Sequence, residues 1–209
     1  MRVVADRESH EADLAAYYDQ EAATRASRTI DPRRVEWRAG FADLMAAEGR
    51  RTLLEVGVGP GHDARALRDT GVTVTGVDLS AEHVRLSTAE GIEAYVASAL
   101  DLPFADDSFA AGWTMSTLLH VPDVDIDDAL AEITRVLQPG APLAIGVWGG
   151  RDWEGRRVED DIVPPRFFSL RSDDRLREIA GRHGTVERFD TWAGKGTSWT
   201  YQALVLRLP

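Results

Sequence analysis

Glu55, Gly57, Gly59, Gly61 and Asp78 are residues whose types and spacing could hold a ligand. Glycine at every second position, with Pro60 between the last two, permits a tight turn and lets a ligand reach bare backbone. The apolar run before the turn, Thr52–Val56, predicts a buried strand. His62–Arg68 after it has helical apolar spacing, so the turn presents a ligand to a helix N-terminus. Val72–Val77 predicts a second strand ending in Asp78, about twenty residues beyond Gly57, where a carboxylate can accept both hydroxyls of a ribose. The dinucleotide pattern G-x-G-x-x-G would put its third glycine at 62, which is His62. Glu55 beneath the turn would repel a pyrophosphate and suits a cationic amino group.

The string Glu55-x-Gly-x-Gly-x-Gly, with Asp78 in register, resembles the first motif of the class I S-adenosylmethionine-dependent methyltransferases. The resemblance implies S-adenosyl-L-methionine as cofactor, in preference to NAD, held by Glu55, Gly57, Gly59, Gly61, Asp78 and Leu79. Ser98-Ala99-Leu100-Asp101-Leu102-Pro103-Phe104 is similar to the adenine-side motif G-D-A-x-x-L-P-F. It implies adenine contacts from Ser98, the Ala99 amide and Leu100. Ser98 departs from the family, which usually has an acidic residue there. The stretch Tyr17-Tyr18-Asp19-Gln20-Glu21-Ala22 resembles the lead-in that folds over the cofactor, giving Tyr18 a lid role beside the plainer one of helix packing. Ser116 joins the cofactor residues. The L-L-H-V-P stretch that follows it places His120 near the reacting centre, as a base or substrate contact; the alternative is a satisfied side chain. An acceptor pocket is expected among Tyr18, Ser116, His120, Trp148, Arg166 and Phe167. The similarity is specific over about residues 51–148 and looser at both ends.

Composition removes several chemistries. Lys and Arg total 24 against 35 Asp and Glu, a formal charge of −11, which disfavours a broad nucleic-acid surface. No cysteine is present, so thiolate catalysis, disulfides and iron–sulfur clusters are excluded. Lys195 is the single lysine; only it could form a Schiff base, and no Tyr-x-x-x-Lys pair exists for a short-chain dehydrogenase. The Asp123–Asp128 run fails as an EF-hand, whose sixth and twelfth positions here are Asp128 and Thr134. It reads better as acid opening a helix. No metal is expected. The absence of a signal-like or membrane-spanning apolar stretch gives a cytoplasmic expectation.

The elements that must position these residues follow from the same pattern. Helices are expected at 10–24, 33–47 (capped by Asp31-Pro32), 81–90 (capped by Ser80), 126–137 and 172–182. Further strands are expected at 92–97, 110–115, 141–148, 185–192 and 198–208, and Gly149–Pro165 reads as a loop or insertion. The fold class is α/β, a Rossmann-like seven-stranded mostly parallel sheet with an antiparallel last strand, helices on both faces and extra N-terminal helices. Family order would insert that last strand between the fifth and sixth. A single domain is expected, with 1–50 as helical lid, 51–148 as cofactor core and 149–209 on the substrate side. The function implied is methyl transfer to a small-molecule acceptor at O, N or C by a monomer or homodimer, with no nucleic-acid or membrane partner. The alternative is a non-methylating S-adenosylmethionine-binding protein or another transferase on the same fold.

Overall fold

The computed structural model describes residues 3–157, 160–194 and 198–209. Lys195 lies outside the described residues. The chain resolves into two compact units, Met1–Ser98 with Val158–Arg166, and Ala99–Arg157 with Phe167–Pro209.

The first unit opens with α1 (Val3–Ala26), which buries Leu14, Tyr17 and Ala22. This helix is longer at both ends than the expected 10–24. Next comes α2 (Pro32–Ala47): Pro32 fills the first turn, where no backbone N–H is needed, and the Asp31 carboxylate accepts from the Arg33 N–H at 2.8 Å. Trp37, Phe41 and Met45 form its buried face. β1 (Thr52–Val56) leads through the glycine turn into α3 (His62–Arg68), and β2 (Thr73–Asp78) leads into α4 (Ala81–Ala89) and β3 (Glu93–Val96). Ser80 caps α4, its hydroxyl accepting from the His83 N–H at 3.1 Å. β1, β2 and β3 are parallel neighbours, with Glu55 opposite Gly76 and Gly76 opposite Ala94. A Cβ at Gly76 would stand 2.7 Å from the Val58 side chain, so glycine here makes room for the glycine turn to pack down on β2.

The second unit contains β4 (Ala111–Met115), a single 3₁₀ turn at Leu118–His120, α5 (Ile126–Arg135), β5 (Pro142–Gly149), β6 (Trp153–Arg156), β7 (Phe167–Leu170), α6 (Asp173–Gly181), β8 (Thr185–Ala193) and β9 (Thr200–Arg207). β4 and β5 are parallel and almost wholly buried, as a two-sided core strand requires. β9 runs antiparallel to both β5 and β8, pairing Leu204 with Ile145 and with Phe189. The seven-stranded sheet has the order β3-β2-β1-β4-β5-β9-β8, so the last strand is antiparallel and inserted as expected. Part of Gly149–Pro165 is corrected from loop to strand, because β6 pairs with β7 as a separate two-stranded sheet, Gly155 opposite Phe168. Its short polar sequence, Trp-Glu-Gly-Arg, shows no apolar alternation from which a strand could be read. The helix expected to reach Leu137 ends at Arg135, since Gln138-Pro139-Gly140 already turns the chain.

Candidate functional site

In the first unit the three turn glycines all adopt left-handed backbone, with φ of 79° at Gly57, 54° at Gly59 and 85° at Gly61. Any other L-residue would be strained at each, which explains the alternate-glycine spacing. Asp78, at the tip of β2, holds the turn from outside: its Oδ2 accepts from the Gly59 N–H at 2.8 Å, and its Oδ1 from the Ser80 N–H at 2.9 Å. Oδ1 also lies 3.3 Å from His83 Nδ1, and Oδ2 keeps a second lone pair that a ribose hydroxyl can use. Leu79 follows directly, half-buried.

Glu55 lies beneath the turn and is 1% exposed, and its Oε2 has no hydrogen-bond partner. Burial, and then the Asp63 carboxylate, push its carboxyl well above the ordinary range, against the pull of Arg34 and Arg38. A buried acceptor without a donor is costly, and a bound cation with N–H groups would satisfy it. This orphaned oxygen is the feature of the turn that fits the amino group of S-adenosylmethionine. Asp63, not singled out by its sequence context, is buried at the start of α3 and clamped by two cations of α2. Arg34 Nε donates to its Oδ2 and Arg38 Nη1 to its Oδ1, both at 2.7 Å. Burial alone would raise the Asp63 carboxyl, but the two guanidinium groups outweigh it and hold the carboxyl below the ordinary range.

Helix α1 belongs to this constellation. Asp19 Oδ1 accepts from the Ser80 hydroxyl at 2.6 Å and from the Glu82 N–H at 3.1 Å, which fixes α1 on the start of α4. Tyr18 packs on His83, ring centroids 5.5 Å apart, under the Arg25 guanidinium. Burial pushes its phenol up, opposed by Arg25 and by Arg166, which also bonds to it. Arg166 and Tyr18, both singled out from the sequence, therefore meet. Arg166 lies 4.5 Å from the Tyr17 ring centroid and pairs with both oxygens of Asp160, at 2.8 and 2.6 Å. Ser98 donates to Glu11 Oε1 of α1 at 2.5 Å.

In the second unit, Ala99 and Leu100 are half-buried in a turn. The Leu102-Pro103-Phe104 stretch after them is pinned by α5: Glu132 accepts from the Leu102 N–H at 2.8 Å, and Arg135 donates to the Leu102 and Phe104 carbonyls. Ser116, just past β4, has φ of 60°, a left-handed conformation that a non-glycine residue rarely adopts and that clusters at functional positions. Its N–H donates to the Gly146 carbonyl at 2.6 Å, and its hydroxyl lies 3.3 Å from that of Tyr201. A Cβ at Gly146 would collide with Met115 and Tyr201, so glycine at this point of β5 admits the Tyr201 ring. Trp148 meets Tyr201 edge-on at 4.9 Å, with Trp192 against the same ring at 4.8 Å.

His120 is buried at 5% exposure, its ring 4.8 Å from that of Phe168. Its Nδ1 is 2.7 Å from the Phe167 carbonyl oxygen. A carbonyl only accepts, so Nδ1 bears a proton, and in the neutral form of the ring the lone pair then lies on Nε2. The turn that carries His120 is clamped by Arg171, which is 2% exposed. Arg171 donates to the Leu118 carbonyl at 3.2 Å, to the Val121 carbonyl at 3.0 Å and to Asp123 at 2.9 Å. Asp123 and Asp127, from the run that fails as an EF-hand, pair with Arg171, Arg175, Arg182 and His183. Among the described residues, no group of three or more His, Cys, Asp or Glu could hold a metal ion. No described helix is long and apolar enough to cross a membrane.

Residues 54–145 match a family model described as a methyltransferase domain. Over that stretch the chain is similar to methyltransferase domains. It is 40% identical over 148 residues to methyltransferase GfsG of Streptomyces halstedii, covering 65% of this chain and 51% of that one. It is 33% identical over 173 residues to 27-O-demethylrifamycin SV methyltransferase of Amycolatopsis mediterranei, covering 78% of this chain and 56% of that one. The chain thus spans about half the length of these curated relatives. In fold it is similar to the 1,6-didemethyltoxoflavin-N1-methyltransferase of Burkholderia thailandensis, with a TM-score of 0.74 at 18% identity, over 96% of this chain and 89% of that one. The matched methyltransferase domain contains Glu55, the three glycines, Asp78, Leu79, Ser98, Ala99, Leu100, Ser116 and His120. Tyr18, Trp148, Arg166 and Phe167 lie outside it.

Proposed function

We propose that the chain transfers a methyl group from S-adenosylmethionine to a small organic acceptor. The observation that carries this reading is the unpartnered, buried Glu55 oxygen beneath a left-handed glycine turn that Asp78 holds in place. When bound, S-adenosylmethionine supplies a methyl carbon activated by its sulfonium. Glu55 receives the amino group, Asp78 the ribose hydroxyls, and Leu79, Ser98, the Ala99 N–H and Leu100 the adenine. Ser116 and Tyr18 complete the cofactor residues, Tyr18 as part of the α1 lid. Trp148, Arg166 and Phe167 line the acceptor side. Much of the rate then comes from alignment and exclusion of water, with no covalent intermediate on the protein. An acceptor hydroxyl must also lose its proton, and in this reading His120 Nε2 takes it. The relative named for 27-O-demethylrifamycin SV supports a small organic acceptor with a hydroxyl.

Calorimetry with S-adenosylhomocysteine, the demethylated product, tests the cofactor half. Asp78→Ala should weaken binding by about 2–3 kcal/mol, the scale of lost charged hydrogen bonds, while leaving the fold intact. Affinity should rise with pH through the raised titration of Glu55. The ligand ammonium favours the ionised carboxylate, and below that titration the empty protein holds Glu55 neutral. Glu55→Gln should remove this slope. Micromolar binding of NAD, with no heat from S-adenosylhomocysteine, would sink the reading.

A further inference from the structure

His83, in the first turn of α4, is a buried imidazole that the glycine-turn motif does not include and no step above uses. It is 3% exposed, and neither ring nitrogen has a hydrogen-bond partner. Ser80 fixes its backbone at the helix start, and the Tyr18 ring packs on it. Two polar nitrogens stranded in the interior are costly, so packing alone would favour an apolar side chain of similar size. The charged group beside the ring is Asp78. His83 Nδ1 lies 3.3 Å from Asp78 Oδ1, within reach but out of line for a hydrogen bond. Oδ1 already accepts from the Ser80 N–H, and Oδ2 from the Gly59 N–H.

We propose that His83 is a positioning residue that acts on the ribose of the cofactor through Asp78. The proposal rests on the S-adenosylmethionine reading above. A small rotation of the Asp78 carboxylate brings Oδ1 into line with an Nδ1–H, and the charge-assisted bond so formed satisfies one of the two stranded nitrogens. With Ser80 and His83 both on Oδ1, the carboxylate cannot turn away, and Oδ2 is the oxygen that meets the ribose hydroxyls. His83 itself contacts neither the ribose nor the transferred methyl group. Its effect is confined to how sharply Asp78 distinguishes a hydroxylated sugar from a bare one.

The test is calorimetry with S-adenosylhomocysteine and its 2′,3′-dideoxy analogue, on the intact chain and on variants at position 83. The intact chain should prefer the diol by about 30-fold, and His83→Leu should bring that ratio to within about 5-fold, the scale of a charged hydrogen bond. The ligand-free Leu variant should melt no lower than the intact chain, because no hydrogen bond of the imidazole is lost. His83→Asn, whose amide N–H stands near the place of Nδ1, should keep most of the preference. His83→Gln, whose amide stands nearer Nε2, should not. The Asn and Gln pair carries the test even where the Leu variant fails to fold. In an Asp78→Ala background, His83→Leu should leave the ratio where it is. An unchanged ratio in His83→Leu and His83→Gln overturns the proposal, even with both ligands weakened alike, since His83 would then only pack between Tyr18 and Asp78. So does a ratio that falls equally in the Asn and Gln variants, or one that falls further in the Asp78→Ala background. A ratio near one in the intact chain overturns the role of Asp78, and failure to bind S-adenosylhomocysteine at all overturns the cofactor reading; either takes this proposal with it.

Discussion

His120→Ala is expected to cut turnover by ~10²–10⁴-fold while cofactor affinity stays unchanged, the loss that follows removal of a general base. The expectation rests on tautomer and placement together. The Phe167 carbonyl fixes the proton on Nδ1, Phe168 packs against the ring, and Arg171 holds the turn from below. A histidine held in this way has little freedom to misdirect its Nε2. If its task is to take the acceptor's proton, raising the pH should recover part of the lost rate, because the acceptor then ionises without help. A His120 that only packs or orients the acceptor would give weaker acceptor binding and no recovery at high pH. Near-normal turnover across the pH range removes it from the mechanism and leaves alignment as the source of rate.

The double variant Arg34→Leu/Arg38→Leu should lose about 3–5 kcal/mol of stability in denaturant unfolding, because it leaves the Asp63 carboxylate buried without a counter-charge. The Asp63 side chain has no exposed surface, whereas its two arginines keep 22% and 16% exposure. Removing the acid alone should therefore cost less than removing both cations. The sign of the pH dependence follows from the depressed Asp63 carboxyl. Its contribution is complete above the ordinary carboxylate range and is lost as pH falls through the depressed value. The gap between the intact chain and the double variant should narrow on acidification. Adding Asp63→Leu to the double variant should recover much of the loss, since a well-packed apolar group replaces a stranded charge. A double variant within about 1 kcal/mol of the intact chain would show that the network contributes little, as exposed ion pairs do.

The glycine turn, Asp78 and the parallel strands were legible because each depends on local chemistry. Alternate glycines answer to left-handed backbone, and a carboxylate after a strand answers to the strand's end. Apolar runs answer to burial on both faces. The antiparallel insertion of β9 came from the family resemblance, since its alternation alone sets no partner. What escaped is set by side chains far apart in sequence. Nothing in the context of Glu11 tells that it meets Ser98, and nothing around Asp63 announces Arg34 and Arg38. Arg166 was singled out as a substrate contact on its position, and its place against Asp160, Tyr17 and Tyr18 depends on a segment whose sequence reads only as polar loop. Tyr201 went unremarked because it sits within an ordinary alternating strand, and its role beside Ser116 depends on the missing Cβ of Gly146. β6 escaped for want of alternation.

The central claim is methyl transfer to a small molecule, and incubation with methyl-labelled S-adenosylmethionine and a panel of phenols, amines and carboxylic acids measures it directly. A parallel arm should offer DNA and RNA. The account predicts label in a small-molecule acceptor, an equal yield of S-adenosylhomocysteine, and no label in nucleic acid. Tight cofactor binding with every label still on the cofactor, across a broad acceptor panel, would contradict it and leave a binding protein on a transferase fold.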